Sequence, residues 1–243
     1  DEVTTRLGVR LICMNRPGYG ESSFQPGRRI LDWPADVAQL AVALGIQKFA
    51  VAGHSGGGPH TLACTYALPD RITAAVTLSG AGPVNVPGAT DGMTTLNRFG
   101  FKYGRYLPWP IGRLITWFVF HERCADPGKA MDRETGLRPP ADDELIARPD
   151  VRQVCLQSEM EAFQPGLKGM SWEVHLITRP WGFRLEEIMS PVYIWHGTAD
   201  NVTSDTMAQY MAAKILHSKL TLCKGEGHLL IFPHWKEILT QLI

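Results

Sequence analysis

The 243-residue sequence predicts an α/β chain, a doubly wound and mostly parallel sheet interrupted by a long helical insertion. Three observations carry that reading. Short apolar runs with the length of buried strands recur at 9–14, 49–52, 72–78, 191–195 and 220–223. Helix-compatible stretches separate them, which makes the strands parallel and covered on both faces. Between 80 and about 188 the alternation stops, and helical stretches broken by Pro and Gly and rich in aromatic residues take its place.

Composition bounds the rest. The length suits one large domain with a sizeable core. With 24 basic and 24 acidic residues the formal charge is zero, so nothing points to nucleic acid or an anionic membrane surface as partner. The apolar run 114–120 is far too short to span a bilayer, and no signal-peptide pattern precedes the first strand. Five scattered cysteines (Cys13, Cys64, Cys124, Cys155, Cys223) read as reduced core residues of a cytoplasmic protein. The histidines, cysteines and carboxylates show no metal-ligand spacing, and no phosphate-cradling glycine loop follows a strand. No metal or cofactor is expected, and the expected partner is a small-molecule substrate.

Taken in order, residues 1–6 read as the tail of a helix stopped by Gly8, and 9–14 as a buried strand followed by a loop over 15–22. Asp32 with Pro34 in the first turn starts a helix whose apolar positions Val37, Leu40, Ala41 and Leu44 share a face, and Gly45 ends it. A strand runs to Gly53, then a helix over 57–67 closes before Pro69, and 72–78 is the next strand. The insertion carries Phe99, Phe101, Trp109, Trp117, Phe118, Phe120, Trp172 and Trp181 among its rings. Most such rings are expected to pack in the core, with an apolar underside turned toward the pocket. After it come a strand at 191–195, a helix over 204–216, a strand at 220–223 and a closing helix over 235–243. The implied division is a core of 1–80 and 189–243 and a helical cap of 81–188.

One stretch organises the chemistry. Gly53-His54-Ser55-Gly56-Gly57 matches the G-x-S-x-G pattern, in which a strand turns sharply into a helix with the serine at the apex. The backbone N–H groups of Gly56 and Gly57 then lie at a helix N-terminus, where partial positive charge favours an oxyanion. A serine hydroxyl needs a base to take its proton and an acid to orient that base. Asp200 and His228 each follow a strand, in the order Ser55, Asp200, His228. Glu226 is a rival orienting acid, beside His228. His54 is expected to point away from the pocket as a packing or hydrogen-bonding residue, and His196 to be structural.

The segments Arg16-Pro17-Gly18-Tyr19-Gly20-Glu21-Ser22, Gly53-His54-Ser55-Gly56-Gly57-Gly58-Pro59, Leu68-Pro69-Asp70-Arg71-Ile72, 180–183, 191–200 and Gly225-Glu226-Gly227-His228 together resemble the α/β-hydrolase superfamily, in its capped group. The resemblance implies Ser55 as nucleophile, His228 as general base and then acid, Asp200 as its orienter and Gly56 N–H as one oxyanion donor. Serine at the elbow sets the chain apart from epoxide hydrolases and haloalkane dehalogenases, which carry Asp there. Such proteins ordinarily have further strands and a His-Gly loop, the source of a second oxyanion donor, ahead of the segment at 9–14. The chain therefore reads as N-terminally truncated, with the strand at 9–14 either paired directly to the strand at 49–52 or separated from it by a gap. The leading expectation is a serine esterase acting on small to medium carboxylic esters. The rival is a non-catalytic protein, or an inactive truncated relative, that keeps the pocket for a small ligand.

Overall fold

A computed structural model describes residues 2–243; Asp1, assigned above to the tail of a helix, lies outside the described residues. The first helix, α1 (Glu2–Leu7), stops at Gly8, whose φ of 66° only glycine adopts without strain. The expected strand at 9–14 does not form, and Leu11 and Ile12 are 49% and 39% exposed. A lone extended segment leaves its backbone groups unpaired unless a neighbouring strand accepts them. Residues 49–52 do not accept them, because that strand pairs on its other edge only. Direct pairing, one of the two expected arrangements, is thereby excluded, and the Val9 N–H donates instead to the Thr4 carbonyl at 2.9 Å.

Helix α2 (Trp33–Ala43) begins with Pro34 in its first turn, where a missing N–H costs nothing. Asp32 stands at its N-cap, yet its carboxylate turns back to the Arg29 backbone N–H and guanidinium, each at 2.8 Å. Strand β1 (Phe49–His54), helix α3 (Gly57–Ala67) and strand β2 (Ile72–Leu78) follow as the apolar pattern predicts.

Six helices then intervene: α4 (Thr95–Tyr103), α5 (Trp109–Ala125), α6 (Pro127–Arg133), α7 (Pro140–Ala147), α8 (Pro149–Ala162) and α9 (Lys168–Ile177). A proline sits in the first turn of α5, α6, α7 and α8, so the prolines that break the pattern also start the next helix. The aromatic rings divide between two environments. Phe101, Trp109 and Phe120 face a cavity, whereas Trp117 and Phe118 on α5 are 50% and 61% exposed. A helix apolar all round buries only the face that meets a neighbour. No described helix is long and apolar enough to cross a membrane.

Strand β3 (Val192–Gly197), helix α10 (Asp205–Lys214), strand β4 (Ser218–Cys223) and helix α11 (Ile231–Thr240) complete the chain. Helix α11 starts four residues before the expected Trp235. Pro233 falls within its first turn, where no intrahelical partner awaits an N–H.

The four strands form one parallel sheet in the order β1-β2-β3-β4. Side chains alternate across it with period two. Ala75, Val192 and Ile194 bury one face against Leu62 and Ala63 of α3 and Ala208 and Met211 of α10. Val76, Leu78 and Trp195 bury the other against Leu230 and Ile238. Covered on both faces, the sheet presents its strand ends as the place for polar chemistry.

Candidate active site

Ser55 follows the last residue of β1, with φ of 55°. That conformation is strained for a residue with a Cβ and persists only where its surroundings enforce it. Backbone hydrogen bonds do so here. The Ser55 N–H donates to the Leu78 carbonyl at 2.9 Å, and its carbonyl accepts from Gly58 and Ala81 at 3.0 Å each. The described hydrogen bonds of Ser55 all run through its backbone. Gly56 is the N-cap of α3. Gly53 lets α3 come this close, since a Cβ there would strike the Gly57 carbonyl and the Thr61 hydroxyl.

Asp200 follows β3, and its side chain is sealed from solvent. Its Oδ1 accepts from the backbone N–H groups of Val202 and Thr203 at 2.8 and 3.0 Å. Its Oδ2 lies 2.8 Å from His228 Nδ1, and the Thr203 hydroxyl lies 3.0 Å from the same oxygen. Burial opposes charge on this carboxylate, but the His228 imidazole and these donors hold it well below the usual range. Burial likewise opposes charge on His228, and the Asp200 carboxylate outweighs it, raising the imidazole. With Nδ1–H donated to Asp200, the Nε2 lone pair is the basic atom.

The structure thus joins two of the predicted residues, Asp200 and His228, and sets Ser55 beside His54 at the same sheet edge. His54 departs from expectation. Instead of pointing away it lines the cavity, with its ring centroid 4.7 Å from that of His228. Its Nε2–H donates to the His228 carbonyl at 2.9 Å. Burial and the neighbouring His228 push His54 down to about 4, so it stays neutral in ordinary buffers. Glu226, the rival acid, faces His234 instead, at 2.8 and 3.0 Å. His196 is buried and donates Nε2–H to the Thr203 carbonyl, the structural part expected of it.

Asp142 had no motif to mark it. It lies in the first turn of α7, where an acidic residue reads simply as favourable to the helix dipole. It is buried, and its carboxylate accepts the backbone N–H groups of His228 and Leu229 at 2.8 and 2.9 Å. Gly227 makes room, because a Cβ there would collide with that carboxylate. The insertion therefore holds the His228 loop by its backbone. Asp142→Ala strips both donors of their partner. It is expected to lower stability by about 1–3 kcal/mol per orphaned group, read as a shift in the urea midpoint with an unchanged slope.

A cavity of about 370 Å³ opens beside Ser55 and Gly56, walled by Phe99, Phe101, Trp109 and Phe120 on the insertion side. Arg16, Tyr19 and Glu173 line its opposite wall. Glu173 is buried, bonded to Arg28 at 2.7 Å and lying 3.5 Å from Arg16. Burial opposes its charge, but Arg16, His60 and Arg28 hold it below the usual range. The loop after 9–14 is thereby locked to α9 by charges that the aromatic-rich sequence around Glu173 gave no sign of.

The same fold occurs in solved structures of low sequence identity. An alpha/beta hydrolase fold protein from Nakamurella multipartita aligns at 22% identity with a TM-score of 0.69, covering 98% of this chain and 82% of that one. A bromoperoxidase from Bacillus anthracis aligns at 20% identity and 0.64, covering 99% and 83%. An esterase from Rhodococcus aligns at 19% identity and 0.60, covering 99% and 83%. No curated protein matches the chain by sequence. The family model described as the alpha/beta hydrolase family matches residues 2–241. That span is nearly the whole sequence, and the chain belongs to the alpha/beta hydrolase family.

Proposed function

We propose that the chain is a serine hydrolase that cleaves small to medium carboxylic esters through an acyl-enzyme. The observation that carries this reading is the buried Asp200 carboxylate 2.8 Å from the partly buried His228, at the sheet edge where Ser55 sits in a left-handed conformation. In this reading Ser55 Oγ attacks the ester carbonyl carbon as its proton passes to His228 Nε2. The oxyanion accepts from Gly56 N–H at the start of α3. The tetrahedral intermediate collapses, the C–O bond to the alcohol breaks, and the alcohol leaves with the proton held on His228. Water then repeats the cycle on the acyl group, releasing the acid and restoring Ser55. Asp200 keeps the imidazole in the tautomer that makes Nε2 the base.

Residues 81–188 act in this reading as a cap whose aromatic underside shapes the cavity and excludes water. Apolar walls of that size favour an apolar ester over a charged peptide. The esterase among the structural neighbours has the same fold at low identity and is consistent with this choice.

The test is a series of p-nitrophenyl esters of increasing acyl length. Turnover with an optimum at short to medium chains, reduced to background in Ser55→Ala, is the expected outcome. Absence of turnover across the series by well-folded protein, or undiminished turnover by Ser55→Ala, contradicts it.

A further inference from the structure

Outside the cavity, the fold gathers three groups that lie apart in the sequence. Cys223 ends β4, Glu226 follows in the loop, and His234 lies in the first turn of α11. A thiol, a carboxylate oxygen and an imidazole nitrogen from these residues all lie within 4.8 Å of one another. We propose that Cys223, Glu226 and His234 bind a zinc-type divalent cation that ties together the two ends of the loop carrying His228.

The imidazole of His234 has a carboxylate within reach of each ring nitrogen. His234 Nε2 faces both Glu226 carboxylate oxygens at 2.8 and 3.0 Å, while its Nδ1 lies 3.4 Å from Glu237 Oε2. A neutral ring carries one N–H. Without a metal the closer contact takes that proton on Nε2, donated to Glu226; a bound cation displaces it, and the ring proton moves to Nδ1, facing Glu237. In the metal-bound form Glu237 is the outer partner that orients a ligating histidine.

The donor set agrees. One sulfur, one nitrogen and one carboxylate oxygen suit zinc, at about 2.0–2.3 Å from the ion, with a fourth position left for water. Ligand atoms around such an ion stand about 3–4 Å apart. The present spread of up to 4.8 Å contracts when an ion binds. Cys223 is buried while Glu226 and His234 are partly exposed, which gives an ion a path from solvent. Binding releases the thiol proton to solvent and changes no oxidation state.

The inference stands on this cluster alone and does not rest on ester hydrolysis. Its consequence concerns the segment between the ligands, which contains His228. At present the side chain of His228 is held by Asp200 and its backbone by Asp142. An ion on Glu226 and His234 would add a tether on the loop's outer side.

The experiment is a titration of the full chain, chelator-treated and kept reduced, with Co²⁺ followed by Zn²⁺. Expected is one equivalent of Co²⁺ with a sulfur-to-cobalt charge-transfer band, bleached by Zn²⁺, together with a raised thermal midpoint. Cys223→Ser abolishes the band, whereas Cys13→Ser and Cys124→Ser, at the two exposed cysteines, leave it unchanged. His234→Gln, at a partly exposed position, abolishes tight binding. Glu237→Gln weakens binding by about 10-fold or more through loss of the outer partner alone. A wild-type chain without the band, or a band that survives Cys223→Ser or His234→Gln, overturns the proposal and leaves Glu226–His234 as an ordinary ion pair. Ester turnover by His234→Gln is read in parallel, so failure of the metal site and failure of the hydrolase reading give different results.

Discussion

Asp200→Asn is expected to lower ester turnover by about 10⁴-fold in a chain that still folds. The asparagine carbonyl can keep the Val202 and Thr203 N–H bonds that Oδ1 now accepts. Its amide replaces Oδ2, the atom 2.8 Å from His228 Nδ1. An amide N–H donates, so the imidazole must present a lone pair at Nδ1 and carry its proton on Nε2. In the proposed mechanism the imidazole is then in the wrong tautomer to accept a proton from Ser55. The pH profile moves as well. Burial lowers His228 and the Asp200 carboxylate more than compensates, so wild-type ester turnover is expected to climb as pH rises through a raised imidazole pKa. Residual activity of Asp200→Asn has its acid limb at lower pH.

Stability follows the same pair with opposite limits. The raised imidazole contributes fully below the unfolded histidine value and loses its contribution as pH rises through the folded one. The depressed Asp200 contributes above the unfolded carboxylate value and loses its contribution as pH falls through the folded one. Both are present between about pH 4 and pH 6.5, the unfolded values of the two side chains. Urea unfolding of wild type and Asp200→Asn should therefore differ most in that window and less in alkaline buffer. A pH-independent difference would mean that the pair is not charged as described.

Gly53→Ala is expected to destabilise the chain severely, by about 1–3 kcal/mol or more, against a typical domain stability of about 5–15 kcal/mol. The added Cβ meets the Gly57 carbonyl carbon at 2.6 Å, along with its oxygen and the Thr61 hydroxyl. Two of these are backbone atoms in the first turn of α3, which cannot swing aside as a long side chain would. β1 and α3 must separate, and that opens the core formed by Leu62 and Ala63 against the sheet. Gly112→Ala is the internal comparison. It lies within α5, its Cβ would meet nothing within 4 Å, and alanine there should stabilise by about 0.5–1 kcal/mol. Thermal midpoints moving in opposite directions support the packing argument; equal small shifts contradict it.

Local signals carried much of the fold. The elbow was legible because its glycines, apolar run and helix start occupy a dozen consecutive residues. Helix α3 and strand β2 begin and end where the pattern placed them. The failure at 9–14 has the opposite cause. Val9, Leu11 and Ile12 have strand character, but a strand exists only with a neighbour, and no local feature reports whether one is available. Asp142 and Glu173 were hidden for a related reason. Each resembles an ordinary helical acid, and their roles arise from contacts to residues 86 and 145 positions away. His54, the last residue of β1, turns its ring to meet His228, 174 positions away, a contact no local signal reports.

Covalent labelling with a fluorophosphonate probe addresses the proposed nucleophile most directly. One adduct per chain is expected, mapped by mass spectrometry to Ser55, lost in Ser55→Ala and strongly slowed in His228→Ala. A folded wild-type chain that takes up no probe, or an adduct on another residue that persists in Ser55→Ala, would contradict the assignment.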